Sequence, residues 1–195
     1  GINFSDHNFD WHDMMLRIEN PAAADFLADD FVTTWKGGNF CGRRNLGPLV
    51  LISCDGKQNA EMFEPLRRLI KNARQSIYVQ SPYLSFPFTD WLREASARGV
   101  KVTVVSPENN NKKPLRDFIQ WESWRSGFSL RLYPEKMTHL KAMLIDDKCL
   151  IVGSSNFDYF SYCFEQETFG LVYDPTLIED FKKRVIDADT ERSVL

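Results

Sequence analysis

The stretch HLKAMLIDDKCLIVGSSN, residues 139–156, decides how this chain is read. Two short apolar runs, Leu140 to Ile145 and Cys149 to Val152, flank Asp146-Asp147-Lys148, so the segment predicts a β-hairpin buried in a sheet. Residues two apart on a strand share a face, which puts His139 and Lys141 side by side. An imidazole next to an ammonium suits a phosphate: the Lys neutralises charge, and the His attacks or moves protons. Asn156 follows a Gly-Ser turn at the end of the second strand, where its amide and the Ser154 hydroxyl can donate to phosphate oxygens. Glu167 opens the next strand, and a carboxylate behind an imidazole fixes the ring's tautomer. Histidine is scarce, with only His7, His12 and His139 in 195 residues. A given His would meet Lys, Asp, Gly, Ser and Asn at five set offsets about once in a million by chance, at roughly 5–7% usage per residue.

Working outward, strands and helices alternate from Leu49 onward. Leu49–Ile52 reads as a buried strand, Met62 to Ala73 as a helical stripe and Ile77–Gln80 as a strand ending at Ser81-Pro82-Tyr83. A helix follows from Trp91 to Arg98, stopped by Gly99, then a strand from Val100 to Val105 and an Asn-rich loop to Lys113. A helix over 115–124, a strand around Leu130 and Leu132, the hairpin, a strand over 169–173 and a last helix from Leu177 to Val185 complete the pattern. The expected class is α/β, a mixed β-sheet flanked by helices on both faces. Before it, residues 14–18 read as a short strand. Pro21 opens a helix whose Phe26, Leu27, Phe31, Val32 and Trp35 recur at helical spacing, and Lys36 to Gly47 reads as a linker and domain boundary.

The 24 basic and 27 acidic residues give a net charge of −3, which argues weakly against a dedicated nucleic-acid binder. The basic clusters Arg43-Arg44, Lys112-Lys113 and Lys182-Lys183-Arg184 read as solvated surface. Cys41, Cys54, Cys149 and Cys163 show no metal spacing and read as reduced, cytosolic thiols. No apolar run approaches the roughly 18 residues of a membrane span, and the N-terminus shows no signal peptide. Trp121 and Trp124, three apart on a helix, read as packing residues before a membrane or stacking platform. Tyr83, at a strand end, is either a pocket-lining residue or part of a structural turn.

The pattern H-x-K-x4-D-x6-G-S-x-N, carried by His139, Lys141, Asp146, Gly153, Ser154 and Asn156, resembles the signature of the phospholipase D superfamily. That resemblance implies a phosphodiester-cleaving enzyme with His139 as the nucleophile that forms a phosphohistidine. Lys141 and Asn156 would hold the phosphate, Ser154 would assist, and Glu167 would be the acidic partner of the His. Asp146 belongs to the same catalytic motif, with a structural role at the hairpin. Trp11-His12-Asp13 with Leu16 to Ala22, Ser76 to Tyr83, and Asn156-Phe157-Asp158-Tyr159 are similar to segments of cardiolipin synthases. They imply a phosphatidyltransferase acting on phospholipid, with no metal or other cofactor. A phosphodiesterase acting on nucleic acid is the less favoured alternative, and an inactive half-site is another. Gly1-Ile2-Asn3 resembles the tail of a first signature. The chain is therefore expected to be a fragment: 1–47 would be the remnant of a first phospholipase D-like half, and 48–195 the second such domain. The missing first half, or a homodimer mate, would supply a second His across a pseudo-two-fold axis. The parent is expected to be cytoplasmic or peripheral to the membrane. Two departures, Phe160 where the family usually has Arg and Glu165 where many members have Asn, bear on head-group specificity.

Overall fold

The computed structural model describes residues 5–194, apart from the side chain of His7, so Gly1-Ile2-Asn3 lies outside the described residues. Eight strands form one mixed sheet: β1 (Gly42–Asn45), β2 (Leu49–Asp55), β3 (Ser76–Gln80), β4 (Lys101–Pro107), β5 (Ser129–Tyr133), β6 (Ala142–Ile145), β7 (Cys149–Gly153) and β8 (Gln166–Val172). Their order across the sheet is β1-β2-β8-β7-β6-β3-β4-β5. The β3-β4-β5 side is parallel, built by helical crossovers, and every other pairing is antiparallel.

Alternation along the central strands serves two layers. One face carries Ile77, Val79, Val104, Met143, Ile145, Ile151 and Phe169, packed against Leu66 and Ile70 of α3 (Glu64–Asn72), Leu92 of α4 (Phe88–Ala97) and Ile119 of α5 (Lys113–Ser126). The other face carries Tyr78, Ala142, Leu144, Leu150 and Val152 under Ile178 and Phe181 of α7 (Pro175–Phe181). The α/β sheet with helices on both faces is therefore as the sequence predicts. The other described helices are the 15-residue α1 (Pro21–Trp35) and the short α2 (Asn59–Met62), α6 (Tyr159–Cys163) and α8 (Ala188–Arg192), the last joined to α7 by a π-helical stretch, Lys182–Asp187. Among the described residues no helix is long and apolar enough to cross a membrane.

Three local expectations change. Residues 14–18 run extended but join no ladder; the nearest pairing is a single bridge, His12 to Thr138. Their two-residue rhythm arises because Met14 and Leu16 pack beneath the α7 face while Ile18 packs on Phe26 and Leu51. The stretch expected as a linker contains β1, an exposed edge strand held to β2 by backbone pairing. Of the apolar stripe on α1 only Phe26 is buried; Leu27, Phe31 and Trp35 are exposed at 38%, 66% and 81%.

Asp146, counted with the catalytic residues of the motif, stands away from them at the hairpin, where its role is structural. It and Asp147 take positive φ (52° and 53°), the conformation a two-residue type I′ turn requires between β6 and β7. Its carboxylate accepts from the backbone N–H of Arg74 (2.8 Å), Gln75 (2.7 Å) and Ser76 (3.0 Å), tying the hairpin to the start of β3. Burial works to raise its pKa, but those three N–H groups outweigh it and hold the carboxyl below its ordinary range. Seven residues of extended chain at about 3.3 Å each separate it from His139. Asp146→Ala removes three charge-assisted bonds and leaves an alanine at positive φ. It is expected to destabilise the fold by about 2–4 kcal/mol in a denaturant titration. Anion binding at His139 should be unchanged in whatever fraction is folded. Because the native pKa is depressed, Asp146 stabilises above the unfolded carboxyl pKa, and its contribution disappears as pH falls through the native one.

Candidate active site

The site lies where β6 begins, against the C-terminal end of β3 (Ala142 pairs with Gln80). His139 and Lys141 precede the first ladder residue and are 6% and 5% exposed. The segment before α1 runs alongside them: the His12 N–H donates to the Met137 carbonyl (2.9 Å), and the His139 N–H donates to the His12 carbonyl (2.7 Å). That pairing places Asp13 against the imidazole, where Asp13 Oδ2 stands 2.9 Å from His139 Nδ1. The Trp11 ring packs on the other side, centroids 4.8 Å apart. Lys141 Nζ sits 2.8 Å from His139 Nε2 and donates to the His139 carbonyl at 2.7 Å.

These contacts assign the protons. Burial favours a protonated Asp13, but the bond to His139, the Met14 N–H and the charge of Lys141 prevail, and its pKa falls below the usual carboxylate value. An ionised carboxylate only accepts, so Nδ1 carries the hydrogen and Nε2 presents its lone pair. That lone pair accepts from Lys141. Lys141 itself is brought down to about 8 by burial, against the opposing charges of Asp13, Glu167 and Asp158. An anionic oxygen accepts more strongly from an ammonium than a neutral imidazole does, so such an anion beside Lys141 can draw it off Nε2 and leave that lone pair unshared.

The lowered pKa of Lys141 has a measurable consequence. Affinity for sulfate, whose charge is constant over the range, is expected to fall as pH rises through about 8, approaching tenfold per unit beyond it. An unperturbed Lys would hold its affinity to about pH 10.4. Stability runs the other way. The buried ammonium costs stability below pH 8, and that cost fades between the folded and the higher unfolded pKa. Lys141→Met should therefore abolish sulfate binding while raising Tm, and calorimetry at pH 7 reads both.

Glu167 does not partner His139, which corrects the expected pairing. It opens β8, and β7 stands between β8 and β6. Its carboxylate accepts instead from the hydroxyls of Ser154 and Ser161, the latter at 2.8 Å. Burial pushes its pKa up, the two serine hydroxyls oppose this, and the neighbouring Glu165 adds to the rise. Ser154 thus spends its proton on Glu167 and accepts the Thr168 N–H (3.0 Å), so it is not aimed at His139 as a phosphate donor. Gly153 is required where β7 meets β8: a Cβ there would stand 2.3 Å from the Thr168 carbonyl oxygen. Asn156 Oδ1 is buried without a hydrogen-bond partner; being an acceptor it does not bond a phosphate oxygen, which only the Nδ2 hydrogens of that amide can meet. Tyr83 donates to Asn111 Oδ1 (2.7 Å) beneath Lys112, whose Nζ lies 4.1 Å from its ring centre; it buttresses the β4–α5 loop.

Asp13 is the residue that the motif reading passed over, and the sequence holds a signal for it. Asp13 stands eight residues before Pro21, and Glu167 eight before Pro175. Each proline opens a helix capped by the preceding acid or amide: the Asn20 side chain accepts from Ala23 N, and Asp174 from Thr176 N and Leu177 N. Two copies of one strand–cap–helix unit are present, and Asp13 and Glu167 hold the same position in each. A further buried set supports the His139 backbone. Asp189 of α8 accepts from Gln80 Nε2 (2.8 Å) and lies 2.7 Å from His12 Nε2, while Gln80 also donates to the Thr138 hydroxyl (2.7 Å). Among the described residues no three His, Cys, Asp or Glu side chains are grouped as ligands of a metal ion would be.

Comparison with known proteins agrees with this architecture. A cardiolipin synthase of Staphylococcus aureus is 30% identical over 200 residues, an alignment covering 91% of this chain and 40% of that protein. The chain thus spans about two fifths of the length of the curated relatives it matches. Among solved structures, NucT from Helicobacter pylori superposes with a TM-score of 0.67 at 17% identity, covering 75% of this chain and 97% of that one. Nuc, a phospholipase D family member from Salmonella typhimurium, gives a TM-score of 0.61 at 23% identity, covering 67% and 87%. The sheet and its crossovers therefore amount to nearly the whole of those smaller proteins. The family model described as the PLD-like domain of cardiolipin synthase matches residues 66–187, from α3 through the hairpin to the π-helical stretch, and on that match the chain belongs to the family of phospholipase D-like domains found in cardiolipin synthases.

Proposed function

We propose that this chain carries one half-site of a phosphatidyl-transferring enzyme that works through a phosphohistidine on Nε2 of His139. The observation that carries the reading is the Asp13–His139–Lys141 line: a carboxylate fixes the tautomer, and the nitrogen opposite it faces an ammonium, with the Asn156 Nδ2 hydrogens as a further proposed phosphate donor. Nε2 attacks phosphorus and the bond from phosphorus to the leaving alkoxide breaks. Lys141 takes the charge of the phosphoryl oxygens and Asp13 steadies the imidazolium. The leaving oxygen takes its proton from a second acid. An acceptor alcohol, deprotonated by the same group, then attacks phosphorus, the N–P bond breaks, and His139 is regenerated.

The second acid is a histidine from another half, either preceding in the parent chain or in a second copy. Two features support this. Leu27, Phe31 and Trp35 of α1 form an exposed stripe at i, i+4 and i+8, whereas α7, the matching helix of the repeat, buries Phe181 on the sheet. Glu167 occupies the repeat position of Asp13, the place from which it would hold the other half's imidazole. Lipid is favoured over nucleic acid by a cavity of about 220 Å³ beside Lys141, lined by Met14, Leu16, Ile18, Leu49, Val152 and Phe169. Such a mostly aliphatic surface accepts a phospholipid's apolar portion and, with Phe169 its one ring and Lys141 its one charge, offers a nucleotide little to stack on. The reading places the parent at a membrane surface. The test is turnover of phosphate-labelled phospholipid micelles by the chain joined to a second half. Transfer of the phosphatidyl group to an added alcohol is expected. Cleavage of DNA with no action on micelles would replace this reading with the nucleic-acid one.

A further inference from the structure

Four aromatic side chains stand exposed at the sheet edge that holds the site. Phe86 (52%) comes from the β3–α4 loop, and Tyr159 (42%), Phe160 (61%) and Phe164 (61%) follow directly on Asn156. Tyr159 joins them, with ring centres 6.2 Å from Phe86, 5.9 Å from Phe160 and 5.7 Å from Phe164. The two loops are stitched together next to the site: the Tyr159 N–H donates to Ser85 Oγ (3.0 Å), and the Ser85 N–H to the Phe157 carbonyl (3.0 Å). Phe160 is four residues from Asn156, so their Cα atoms stand no more than about 14 Å apart. None of the four lines the recess between α1 and Glu167 that the proposed second half would occupy.

Of the two carboxylates beside this rim, Asp158 is buried as the cap of α6, accepting from Ser161 N (2.9 Å), while Glu165 is exposed and accepts from Ser161 Oγ (2.7 Å). Lys112 and Lys113, from the adjoining loop that Tyr83 and Asn110 hold in place, are exposed. Four exposed rings beside two exposed lysines, against a single exposed carboxylate, match the interfacial layer of an anionic bilayer, where aromatic rings sit at head-group depth and Lys meets lipid phosphate.

We infer that Phe86, Tyr159, Phe160 and Phe164, with Lys112 and Lys113, form a contact surface for an anionic phospholipid bilayer that brings His139 to head-group level. The inference rests on the phospholipid reading of the site but does not depend on the chemistry there. The experiment is co-sedimentation of the chain with vesicles of phosphatidylcholine containing phosphatidylglycerol. The wild type should bind, and phosphatidylcholine alone should bind it at least tenfold more weakly. Phe160→Ser with Phe164→Ser should lose at least tenfold at unchanged thermal stability. Phe160→Trp with Phe164→Trp should retain binding and shift its fluorescence to the blue on insertion. His139→Ala should bind vesicles as the wild type does, which separates the surface from the proposed reaction. Wild-type chain that stays in the supernatant would overturn the inference, as would serine variants that bind undiminished. So would serine variants that keep vesicle binding but lose self-association or DNA binding, since the patch would then be a protein or nucleic-acid contact.

Discussion

His139→Ala is expected to lower turnover of the assembled two-half enzyme by on the order of 10⁵-fold, because the covalent step disappears entirely. Removing a nucleophile leaves only the contribution of binding and charge stabilisation, and losses of about 10⁶ accompany such changes in hydrolases that use a covalent intermediate. The variant should fold. The side chain is nearly buried, but its contacts are to Asp13, Lys141 and Trp11, at the entrance to β6 and outside the apolar core. Single-turnover kinetics on labelled phospholipid micelles measures the effect, and activity within tenfold of wild type would remove His139 from the nucleophile's role.

Asp13→Asn is the second large effect, and it separates this geometry from one in which Glu167 orients the ring. The carboxylate at 2.9 Å from Nδ1 requires a hydrogen there and leaves Nε2 bare. An asparagine amide at the same place can donate to Nδ1 instead, which moves the hydrogen to Nε2 and blocks attack. The corresponding carboxylate-to-amide change in a serine-protease triad costs about 10⁴-fold with the geometry intact. A loss of about 10³–10⁴ in kcat, with KM little altered, is expected here. Because Glu167 would hold the other half's imidazole, the two substitutions are separated at the ring itself: Asp13→Asn should move the His139 hydrogen from Nδ1 to Nε2, read by nitrogen NMR of the chain, and Glu167→Gln should leave it on Nδ1. A His139 tautomer unchanged by Asp13→Asn, or moved by Glu167→Gln, would contradict the assignment of Asp13.

The hairpin and its motif were legible because one short segment contains all the information needed: two apolar runs, a turn that tolerates positive φ, and a His-x-Lys pair at the strand entrance. The crossover helices were legible for the same reason, since α3 and α5 carry their own apolar stripes. β1 was not, because Gly42-Arg43-Arg44-Asn45 has no apolar alternation and exists as a strand only through backbone pairing with β2. Residues 14–18 show the reverse case, with the alternation of a strand but a chain that lies beside the site rather than in a ladder. The acidic partner of His139 was misread for a tertiary reason. Asp13 and Glu167 share a position in a repeated unit, and the motif gives no indication of which unit lies against which imidazole. That is decided by the bridge between His12 and Thr138, 126 residues apart.

The central claim is that Nε2 of His139 becomes bonded to phosphorus. Acid quenching would destroy such a bond, whereas a phosphoramidate survives alkali, so the assembled enzyme should be mixed with labelled phospholipid, quenched in alkali, digested and mapped by mass spectrometry. The account predicts label on the peptide containing His139-Leu140-Lys141, at the ring nitrogen remote from Asp13, and none in the His139→Ala variant. Label on another residue, or full turnover with no covalent adduct at any time after mixing, would contradict it.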